Sequence, residues 1–382
     1  MDKIKPVKVG LIGSGCISET YLQNMTTLFS ALDVVGCSDL IEERSRRRAE
    51  QFGIRQMTNE QILNDPEIEI VVNTTYPTSH YLINKQALLA GKNVYCEKMM
   101  AVELSEADEL MALARKKNLR IGMAPDTFLG ASLQTARKLV DDGFIGEPLN
   151  AVAMVVRGYH LDTPTEPTFA FVFEPGGGIP FDMGGYYLNA LVNILGPVRR
   201  CGGFVKQRQP KKPFVNPHNP RYGQTYDMNT PSMLVGAMEF ECGCMGTLSL
   251  IADGFGETPR LEIYGTQGTL ILADPNTYGL PIYLIRNSAN GPTERFQIPL
   301  THGYTDSHRG LGVADMAWAI RHNRPHRASG EMGYHVFELV HGIWKSSKSG
   351  IMYQMQSRCE RPAALPAGFV GSPTLWEGAL DN

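Results

Sequence analysis

The chain has 382 residues, of which 43% are hydrophobic and 20% are charged, and its formal net charge is −3. These values are typical of a soluble protein with two domains, and the weakly acidic balance argues against nucleic acid as a partner. No apolar stretch is long enough to span a bilayer and the N-terminal residues do not resemble a secretory signal, so we expect a cytoplasmic protein with no membrane partner.

The first predicted elements are a strand, a glycine turn and a helix. Residues 7–12 form an apolar run typical of a buried parallel strand, and a helix is predicted over residues 17–27. Between them lies the turn Gly13-Ser14-Gly15-Cys16-Ile17-Ser18, a G-x-G-x-x-S pattern whose backbone N–H groups would face a pyrophosphate at the helix N-terminus. Asp39 follows the next apolar run, a little over twenty residues after Gly15, where a carboxylate would meet an adenosine ribose. The combination predicts a dinucleotide site.

Asp39 also bears on the choice of cofactor. Its carboxylate would accept hydrogen bonds from the ribose hydroxyls and would repel a 2′-phosphate, which favours NAD over NADP. Ser38 and the basic cluster that starts at Arg44 could instead receive that phosphate, so NADP remains an alternative.

Strands and helices alternate through the first third of the chain. Further strands are predicted at residues 34–38, 68–73, 93–96 and 120–123, and helices at 42–52, 80–90 and 105–117, the last with Ser105 as its N-cap. This alternation predicts an α/β fold with a doubly wound, mostly parallel sheet in residues 1–125. Ligands of such sheets bind beyond the carboxyl ends of the strands, which is where Thr75, Tyr76, Pro77, Glu97 and Lys98 lie.

From Asp126 onward the pattern changes. Strand-like segments are predicted at residues 148–159, 198–205, 232–240, 246–252, 261–265, 269–272 and 282–286, and helices at 133–142, 182–195, 310–322 and 333–347. They predict a second, α+β domain in residues 126–360, with an open, mostly antiparallel sheet that packs one face on helices. Residues 361–382 are rich in Pro, Ala and Gly, and we expect them to form an extended tail.

The chain has seven scattered cysteines. Cys242 and Cys244 are two positions apart and are expected to share one face of a strand. No second cysteine pair and no histidine pair lies at zinc spacing. We therefore expect a reduced protein without a structural metal.

Two groups of residues could carry chemistry. Lys98, at the end of a predicted strand, could polarise a substrate hydroxyl, with burial holding its pKa down; the alternative is a surface Glu-Lys pair. Asp182 and Tyr186 are four positions apart on a predicted helix and would therefore share a face. They could relay a proton to or from an alcohol oxygen. A helix cap and a packed aromatic residue would explain the same pair.

Several long motifs, in this order, resemble the glucose–fructose oxidoreductase/inositol dehydrogenase family, called Gfo/Idh/MocA. They are G-S-G-C-I-S from Gly13, T-Y-P-T-S-H at 75–80, A-G-K-N-V-Y-C-E-K at 90–98, G-G-G-I-P-F-D-M-G-G-Y-Y at 176–187 and R-G-L-G-V-A-D-M at 309–316. The resemblance covers about residues 7–350. It implies a Rossmann domain, a C-terminal domain with an open sheet, and NAD(P)-dependent oxidation or reduction of sugars and polyols. It also implies a homodimer or homotetramer formed through the open sheet.

The same resemblance assigns roles to single residues. Lys98 corresponds to the lysine of the family's E-K-P motif, and Met99 replaces the proline. Asp182 corresponds to a substrate-side aspartate. Tyr186 stands where many members carry a catalytic histidine and others a tyrosine, which implies a tyrosine–lysine acid/base pair. The residues expected to bind the cofactor are Gly13, Ser14, Gly15, Cys16, Ile17, Asp39, Arg44, Thr75, Tyr76, Pro77, His80, Glu97 and Lys98. The residues expected to bind substrate are Lys98, Arg157, His160, Asp182, Tyr186, His308 and Arg309.

Three hypotheses follow. The first is an NAD(P)-dependent dehydrogenase of a sugar, anhydrosugar or polyol, in which Tyr186 and Lys98 move the hydroxyl proton and Asp182 orients the substrate. The second is an enzyme that uses bound NAD in a transient oxidation to drive glycoside cleavage, elimination or epimerisation. The third is a non-catalytic sensor of sugars or dinucleotides on the same fold. The presence of Lys98, Asp182 and Tyr186 together favours an enzyme.

Overall fold

The structure is a computed structural model that describes residues 5–158, 170–256, 259–287 and 293–366. In its first part, strands and helices alternate as predicted. The strands are β1 (Val7–Ile12), β2 (Leu32–Ser38), β3 (Arg55–Gln56), β4 (Ile70–Asn73), β5 (Asn93–Cys96) and β6 (Ile121–Met123). The helices are α1 (Cys16–Thr27), α2 (Glu42–Phe52), α3 (Asn59–Asn64), α4 (Pro77–Leu89) and α5 (Leu104–Lys117). All six strands form one parallel sheet in the order β3-β2-β1-β4-β5-β6, which reverses between β1 and β4.

Burial explains why these strands could be predicted from short apolar runs. β1, β4, β5 and β6 are almost entirely buried, as expected for strands whose sheet is covered by helices on both faces. Helix α2 ends where predicted, at Gly53, which adopts a left-handed φ of +64°. Helix α5 is capped by Glu103 in a capping box with Glu106, so the prediction of Ser105 as its N-cap was wrong. The short β3 and α3 were missed because neither contains an apolar run of predictable length.

The second part contains a nine-stranded sheet and a separate two-stranded one. The strands are β7 (Pro148–Val156), β8 (Val198–Lys206), β9 (Lys211–Pro213), β10 (Thr225–Asp227), β11 (Met233–Phe240), β12 (Met245–Ile251), β13 (Arg260–Gly265), β14 (Thr269–Leu272), β15 (Ile282–Asn287), β16 (Thr293–Ile298) and β17 (Tyr353–Gln354). The helices are α6 (Ala131–Asp141), α7 (Gly178–Asp182), α8 (Gly184–Leu195), α9 (Leu311–Arg321) and α10 (Gly330–Ser349). The large sheet has the order β16-β15-β14-β13-β7-β12-β11-β8-β17, and β9 pairs with β10. Its described neighbours are antiparallel except β7 and β12, which confirms an open, mostly antiparallel sheet.

The large sheet buries one face against helices. Along β11, Leu234, Met238 and Phe240 are buried, whereas Val235 between them is exposed. This alternation is expected of a strand with one covered face, and α10 packs on the neighbouring strand β8. The short β9, β10 and β17 and the exposed β16 were not predicted, because their residues do not alternate between apolar and polar.

Two local predictions were wrong. The helix expected over residues 182–195 is broken at Met183, so Asp182 ends α7 and Tyr186 lies in α8. Cys242 and Cys244 do not share a strand face: they lie in the turn between β11 and β12, with Cys242 exposed and Cys244 buried.

Helices α9 and α10 bring the two parts together at the edge strand β6. Ser329, the N-cap of α10, forms an isolated β-bridge with Gly122, and the N–H of Met123 donates to the carbonyl of Ala328 at 3.0 Å. This junction places the second part beside the carboxyl end of the parallel sheet. Within the described ranges, no helix has the length and apolar character needed to cross a membrane.

Residues 361–366, the described part of the predicted tail, form neither helix nor strand. They are nevertheless held in place, because the buried Arg137 donates to the carbonyl of Pro362 and Arg327 donates to that of Ala363 at 3.1 Å. Leu365 is itself buried, and its N–H donates to Gln134 at 2.9 Å. The rest of the predicted tail, residues 367–382, lies outside the described residues.

Candidate active site

The glycine turn after β1 is fixed by the strands on both sides of it. Gly13 has a left-handed φ of +103°, and its N–H donates to the carbonyl of Ser38, at the end of β2. Directly after β4, the hydroxyl of Thr74 donates to the carbonyl of Gly13 at 2.6 Å. A Cβ at Gly13 would lie 2.6 Å from the backbone N of Thr75, which no side chain could tolerate without movement. The turn therefore lies at the reversal point of the sheet, where doubly wound folds bind ligands.

The residues that follow fit a dinucleotide pyrophosphate. Gly15 is the N-cap of α1 and provides no side-chain cap, so the first N–H groups of the helix are not capped by this residue. A Cβ placed at Gly15 would meet no atom within 4 Å, so the space above the helix is open. Ser18, which takes the place of a third glycine, is fully buried and donates to the carbonyl of Gly15 at 2.6 Å. Here serine allows the close packing that a glycine gives in related turns.

Asp39 lies beside this turn, after the end of β2. One carboxylate oxygen accepts the N–H of Ser14 at 2.7 Å and the other accepts that of Ile41 at 2.8 Å. Asp39 is half-buried and follows the end of β2, where a carboxylate is expected to meet the adenosine ribose. Ser38 does not offer the alternative phosphate contact, because its buried hydroxyl donates to Asn59 at 2.7 Å. The geometry thus favours NAD.

The turn after β4 lies at the same carboxyl edge of the parallel sheet as the glycine turn. Pro77 occupies the first turn of α4, where its missing N–H costs nothing, and Thr75 donates its hydroxyl to Asn73 at 2.7 Å. Tyr76 is half exposed, with its ring 6.2 Å from that of Phe171. Thr75 and Tyr76 therefore border the cleft between the two parts.

His80, predicted to bind the cofactor, is a buried residue of α4. Only 1% of its surface is exposed, and its ring nitrogens lie 2.6 Å from the carbonyl oxygen of Met99 and 2.9 Å from that of Thr75. Burial lowers the pKa of His80, although both carbonyl contacts oppose this. These two contacts hold the backbone of Thr75 and that of Met99, which directly follows Lys98, and the cofactor role of His80 stays a prediction.

Lys98, Tyr186 and Asp182 converge at the junction between the two parts. The Nζ atom of Lys98 donates to the phenol oxygen of Tyr186 at 3.0 Å and lies 3.3 Å from Oδ1 of Asp182. All three side chains are largely buried, and the ammonium also lies 4.6 Å from the centre of the Tyr186 ring. Although Asp182 and Tyr186 lie on different helices, the bend at Met183 still directs both towards Lys98. A surface Glu-Lys pair therefore does not describe Lys98.

The expected lowering of the Lys98 pKa is wrong. Burial by itself lowers this pKa, but the neighbouring Tyr186, Asp182 and Glu97 outweigh burial and raise it above its usual value. Lys98 is thus an ammonium ion at neutral pH. It can donate hydrogen bonds and stabilise an anion, but it cannot act as a base.

A second cation reaches the same phenol. Nη2 of Arg309 donates to the Tyr186 oxygen at 3.3 Å and to Oδ1 of Asn276 at 2.7 Å. Asn276 lies in the loop after β14 and was not predicted as a site residue, because nothing local marks an asparagine in a turn as functional. The phenol oxygen of Tyr186 therefore lies between an ammonium and a guanidinium ion.

The remaining predicted site residues have other side-chain contacts. Glu97 accepts the hydroxyl of the buried Tyr21 at 2.7 Å, so one of its oxygens is already engaged. Nη1 of Arg157 lies 3.3 Å from the sulfur of Met183, one residue beyond Asp182. His308 is buried in edge contacts with the rings of Tyr278 and Tyr304, and its substrate role stays a prediction. His160 lies outside the described residues.

The described part of the chain contains no group of three or more His, Cys, Asp or Glu side chains that could hold a metal ion.

Two family models match the chain. Residues 7–124 match the model described as an oxidoreductase family with an NAD-binding Rossmann fold, and residues 133–271 match the GFO/IDH/MocA C-terminal domain. The two matched segments together make up more than half of the chain. They include the glycine turn, Lys98, Asp182 and Tyr186.

Individual proteins agree with the family models. The inositol 2-dehydrogenase/D-chiro-inositol 3-dehydrogenase of Lactiplantibacillus plantarum is 30% identical over 172 residues, which are 44% of this chain and 48% of that protein. The alignment thus spans about half of that relative's length. The uncharacterized oxidoreductase YrbE of Bacillus subtilis is 24% identical over 69% of this chain and 73% of its own. Among solved structures, levoglucosan dehydrogenase in complex with NADH superposes with a TM-score of 0.79 at 18% identity, over 92% of this chain and 100% of that one. This likeness shows a shared fold.

Proposed function

The chain belongs to the Gfo/Idh/MocA family of NAD-binding oxidoreductases, and from this we propose that it is an NAD(P)-dependent dehydrogenase of a sugar or cyclic polyol. One observation carries the proposal: the Lys98 ammonium donates to the Tyr186 phenol oxygen at 3.0 Å, at the carboxyl end of β5. The names of relatives support the substrate class, since one acts on inositol and a structural neighbour on levoglucosan.

A bound nicotinamide would supply the hydride acceptor or donor. The glycine turn and the N-terminus of α1 would hold its pyrophosphate, and Asp39 its adenosine ribose. The open space above Gly15 and the uncapped start of α1 are consistent with this placement. The cofactor would then extend along the carboxyl edge of the sheet towards Lys98.

In the oxidative direction, Tyr186 is the general base. Its phenolate takes the substrate hydroxyl proton while the hydride leaves the same carbon, so that a carbonyl forms and the phenol becomes neutral. Lys98 and Arg309 stabilise the phenolate, because each donates to its oxygen. Reduction runs the same transfers backwards, with Tyr186 as the general acid.

Asp182 has a positioning role towards the substrate. Its carboxylate lies 3.3 Å from the Lys98 ammonium and can accept a hydrogen bond from a second hydroxyl of the substrate. A vicinal diol, as found in sugars and inositols, presents two hydroxyls at suitable separation. This arrangement supports a polyol over a simple alcohol as the proposed substrate.

The test is nicotinamide reduction by the purified protein. NAD and NADP are supplied separately with inositols, anhydrosugars, aldoses and sugar acids, and the absorbance of the reduced cofactor is followed. A clear rate with one class supports the proposal and identifies the substrate class. Conversion of a substrate without any accumulation of NADH would instead favour the transient-oxidation alternative. Tight NADH binding with no conversion of any compound would contradict both enzymatic proposals and favour a sensor.

A further inference from the structure

Asp126 is a buried carboxylate for which the mechanism above has no role. It directly follows Pro125 at the carboxyl end of β6, and its side chain is fully buried. Its Oδ1 accepts the hydroxyl of Tyr278 at 2.6 Å, and its Oδ2 accepts the N–H groups of Gly310 at 3.0 Å and Gly312 at 2.9 Å. Burial raises the pKa of this carboxyl, and the hydrogen bonds from Tyr278 and the two glycines oppose the rise. With three donors directed at it, the side chain is matched to its ionised form.

The two glycines show why the carboxylate is needed there. Gly310 is the N-cap of α9, has a left-handed φ of +100° and provides no capping side chain. Asp126 supplies the missing acceptor from another element and places a negative charge at the positive end of the helix dipole. A Cβ at Gly312 would lie 2.3 Å from the hydroxyl oxygen of Tyr95, so the backbone can approach Asp126 only because this residue is glycine.

Asp126 thereby joins two loops that each supply a side chain to the proposed site. Arg309 directly precedes Gly310, and Asn276 lies two positions before Tyr278. The guanidinium of Arg309 then links the two loops again, since it donates to Asn276 at 2.7 Å and to Tyr186 at 3.3 Å.

We propose that Asp126 is a positioning residue, which holds Arg309 and Asn276 in place so that Arg309 is the second cation on the Tyr186 phenol. This inference rests on the proposed function for the role of Tyr186. Lys98 and Arg309 donate to the phenol oxygen, and Asp182 pairs with Lys98. The other titratable groups that act on Arg309 include Glu97, Asp126, Tyr278 and Tyr21. Loss of Asp126 frees Arg309 and leaves Lys98 as the remaining stabilising cation.

The experiment compares Asp126→Asn with Asp315→Asn. Asp315 is a matched control because it is equally buried and also belongs to the α9 region, but it pairs with Arg324 and Arg327, away from Tyr186. The first measurement is the ultraviolet titration of tyrosinate, in which each protein is compared with the same protein carrying Tyr186→Phe. This reports ionisation of Tyr186 and requires no turnover, so it stays informative even if no substrate is found.

In Asp126→Asn, ionisation of Tyr186 should move to higher pH, and the acidic limb of the kcat profile should move with it. At neutral pH, kcat should fall about tenfold with little change in the KM of the substrate, as expected for loss of one charge-assisted hydrogen bond to the base. Asp315→Asn should leave both pH profiles in place. Arg309→Met should reproduce the shift. Arg309→Lys keeps a cation beside the phenol, so its titration and kcat profile should lie close to those of the wild type.

Equal shifts in Asp126→Asn and Asp315→Asn would overturn the inference, because they would reflect general loosening of the fold. A folded Asp126→Asn protein with wild-type profiles would also overturn it. If Asp126→Asn does not fold, Tyr278→Phe decides, since it removes one donor from Asp126 and releases the loop of Asn276; it should give a smaller shift in the same direction, and no shift would reject the proposal. If titration shifts as expected but no substrate is ever converted, the positioning role stands and the proposed dehydrogenase function fails.

Discussion

The ammonium of Lys98 donates to the phenol oxygen of Tyr186 at 3.0 Å, although the two residues are 88 positions apart and belong to different parts of the molecule. Lys98 follows the end of a parallel strand, and Tyr186 lies on the first turn of α8, which packs beside the second sheet. Their meeting makes the cleft between the two parts the place where chemistry is expected. Each of the two residues is therefore a direct test of the proposed mechanism.

Tyr186→Phe removes the base and leaves the ring in place. We expect kcat to fall by roughly 10²–10⁴-fold, the usual contribution of a general acid or base, while the Kd of NADH stays near its wild-type value. Steady-state rates and NADH fluorescence titration measure the two quantities. Lys98→Ala should lose activity to a similar extent.

Tyr187→Phe is the matched control for this experiment. The neighbouring Tyr187 is fully buried, and its hydroxyl has no hydrogen-bond partner among the described residues, so its removal deletes the same atom one position along the helix. This variant should keep wild-type turnover. If Tyr186→Phe and Tyr187→Phe were equally active, Tyr186 could not be the base.

Asp39 should determine the preference for NAD. Asp39→Asn keeps an acceptor for the N–H of Ser14 or Ile41 but removes the negative charge that faces the ribose. We expect the Kd of NAD to rise roughly tenfold, as for loss of a charged hydrogen-bond partner, and the Kd of NADP to change less or to fall. Asp33→Asn, which removes an exposed carboxylate from the amino end of the same strand, should alter neither. Equal weakening of both cofactors by Asp39→Asn would reject the assignment.

Stability should fall as the pH is lowered, because of buried histidines. His335 is fully buried, its Nε2 accepts the N–H of Val198 at 2.9 Å, and burial lowers its pKa to about 4 despite the opposing charge of Glu338. The unfolded chain binds a proton near pH 6.5, whereas the folded chain resists it until about pH 4, so the folded state loses stability as the pH falls through this interval. The full loss for one such group, reached below pH 4, is on the order of 3 kcal/mol, and about 2 kcal/mol of it falls between pH 7 and pH 5.

Urea unfolding at pH 7 and pH 5 measures this loss, with His335→Gln compared against His218→Gln. Glutamine at position 335 lowers stability at pH 7 but removes one titrating group, so the difference between the two pH values should shrink. His218 is exposed, and its replacement should leave the difference unchanged. An unchanged pH dependence in His335→Gln would show that other groups cause it.

The parts of the site that could be predicted are those encoded locally. The turn at Gly13 and the lysine at position 98 each follow an apolar run that a buried parallel strand requires, so both the element and the functional residue lie within a few positions. Tyr186 could be identified because a glycine-rich stretch and an aspartate precede it. These segments predict strand ends and helix starts. In a doubly wound sheet, the carboxyl ends of the strands and the starts of the following helices lie at one edge.

The parts that could not be predicted depend on contacts between distant segments. Asp126 and Gly310 are 184 positions apart, and Asn276 lies in an ordinary turn whose importance comes only from its contact with Arg309. The direction of the Lys98 pKa was also wrong, because the sequence shows that the residue is buried but not how many anions surround it. A charged residue directly after the last parallel strand was the one available signal for Asp126.

Alanine at Gly13 and alanine at Gly15 should have different effects: the first should lower stability and the second should weaken NADH binding. Gly13→Ala forces a side chain into a left-handed conformation and against the backbone of Thr75, so the free energy of unfolding should fall by roughly 2–5 kcal/mol. Gly15→Ala meets no atom within 4 Å and has an ordinary φ of −74°, so its stability should stay within about 1 kcal/mol of wild type, the cost of a poorer cap. Its methyl group projects into the open space at the start of α1, and it should weaken NADH binding about tenfold or more by keeping the pyrophosphate from the helix N-terminus.

Urea unfolding and NADH fluorescence titration on both variants separate the effect on stability from the effect on cofactor binding. A Gly15→Ala protein that binds NADH as the wild type does would mean that the pyrophosphate lies elsewhere, and a Gly13→Ala protein of unchanged stability would mean that the turn and Thr75 are not in close contact.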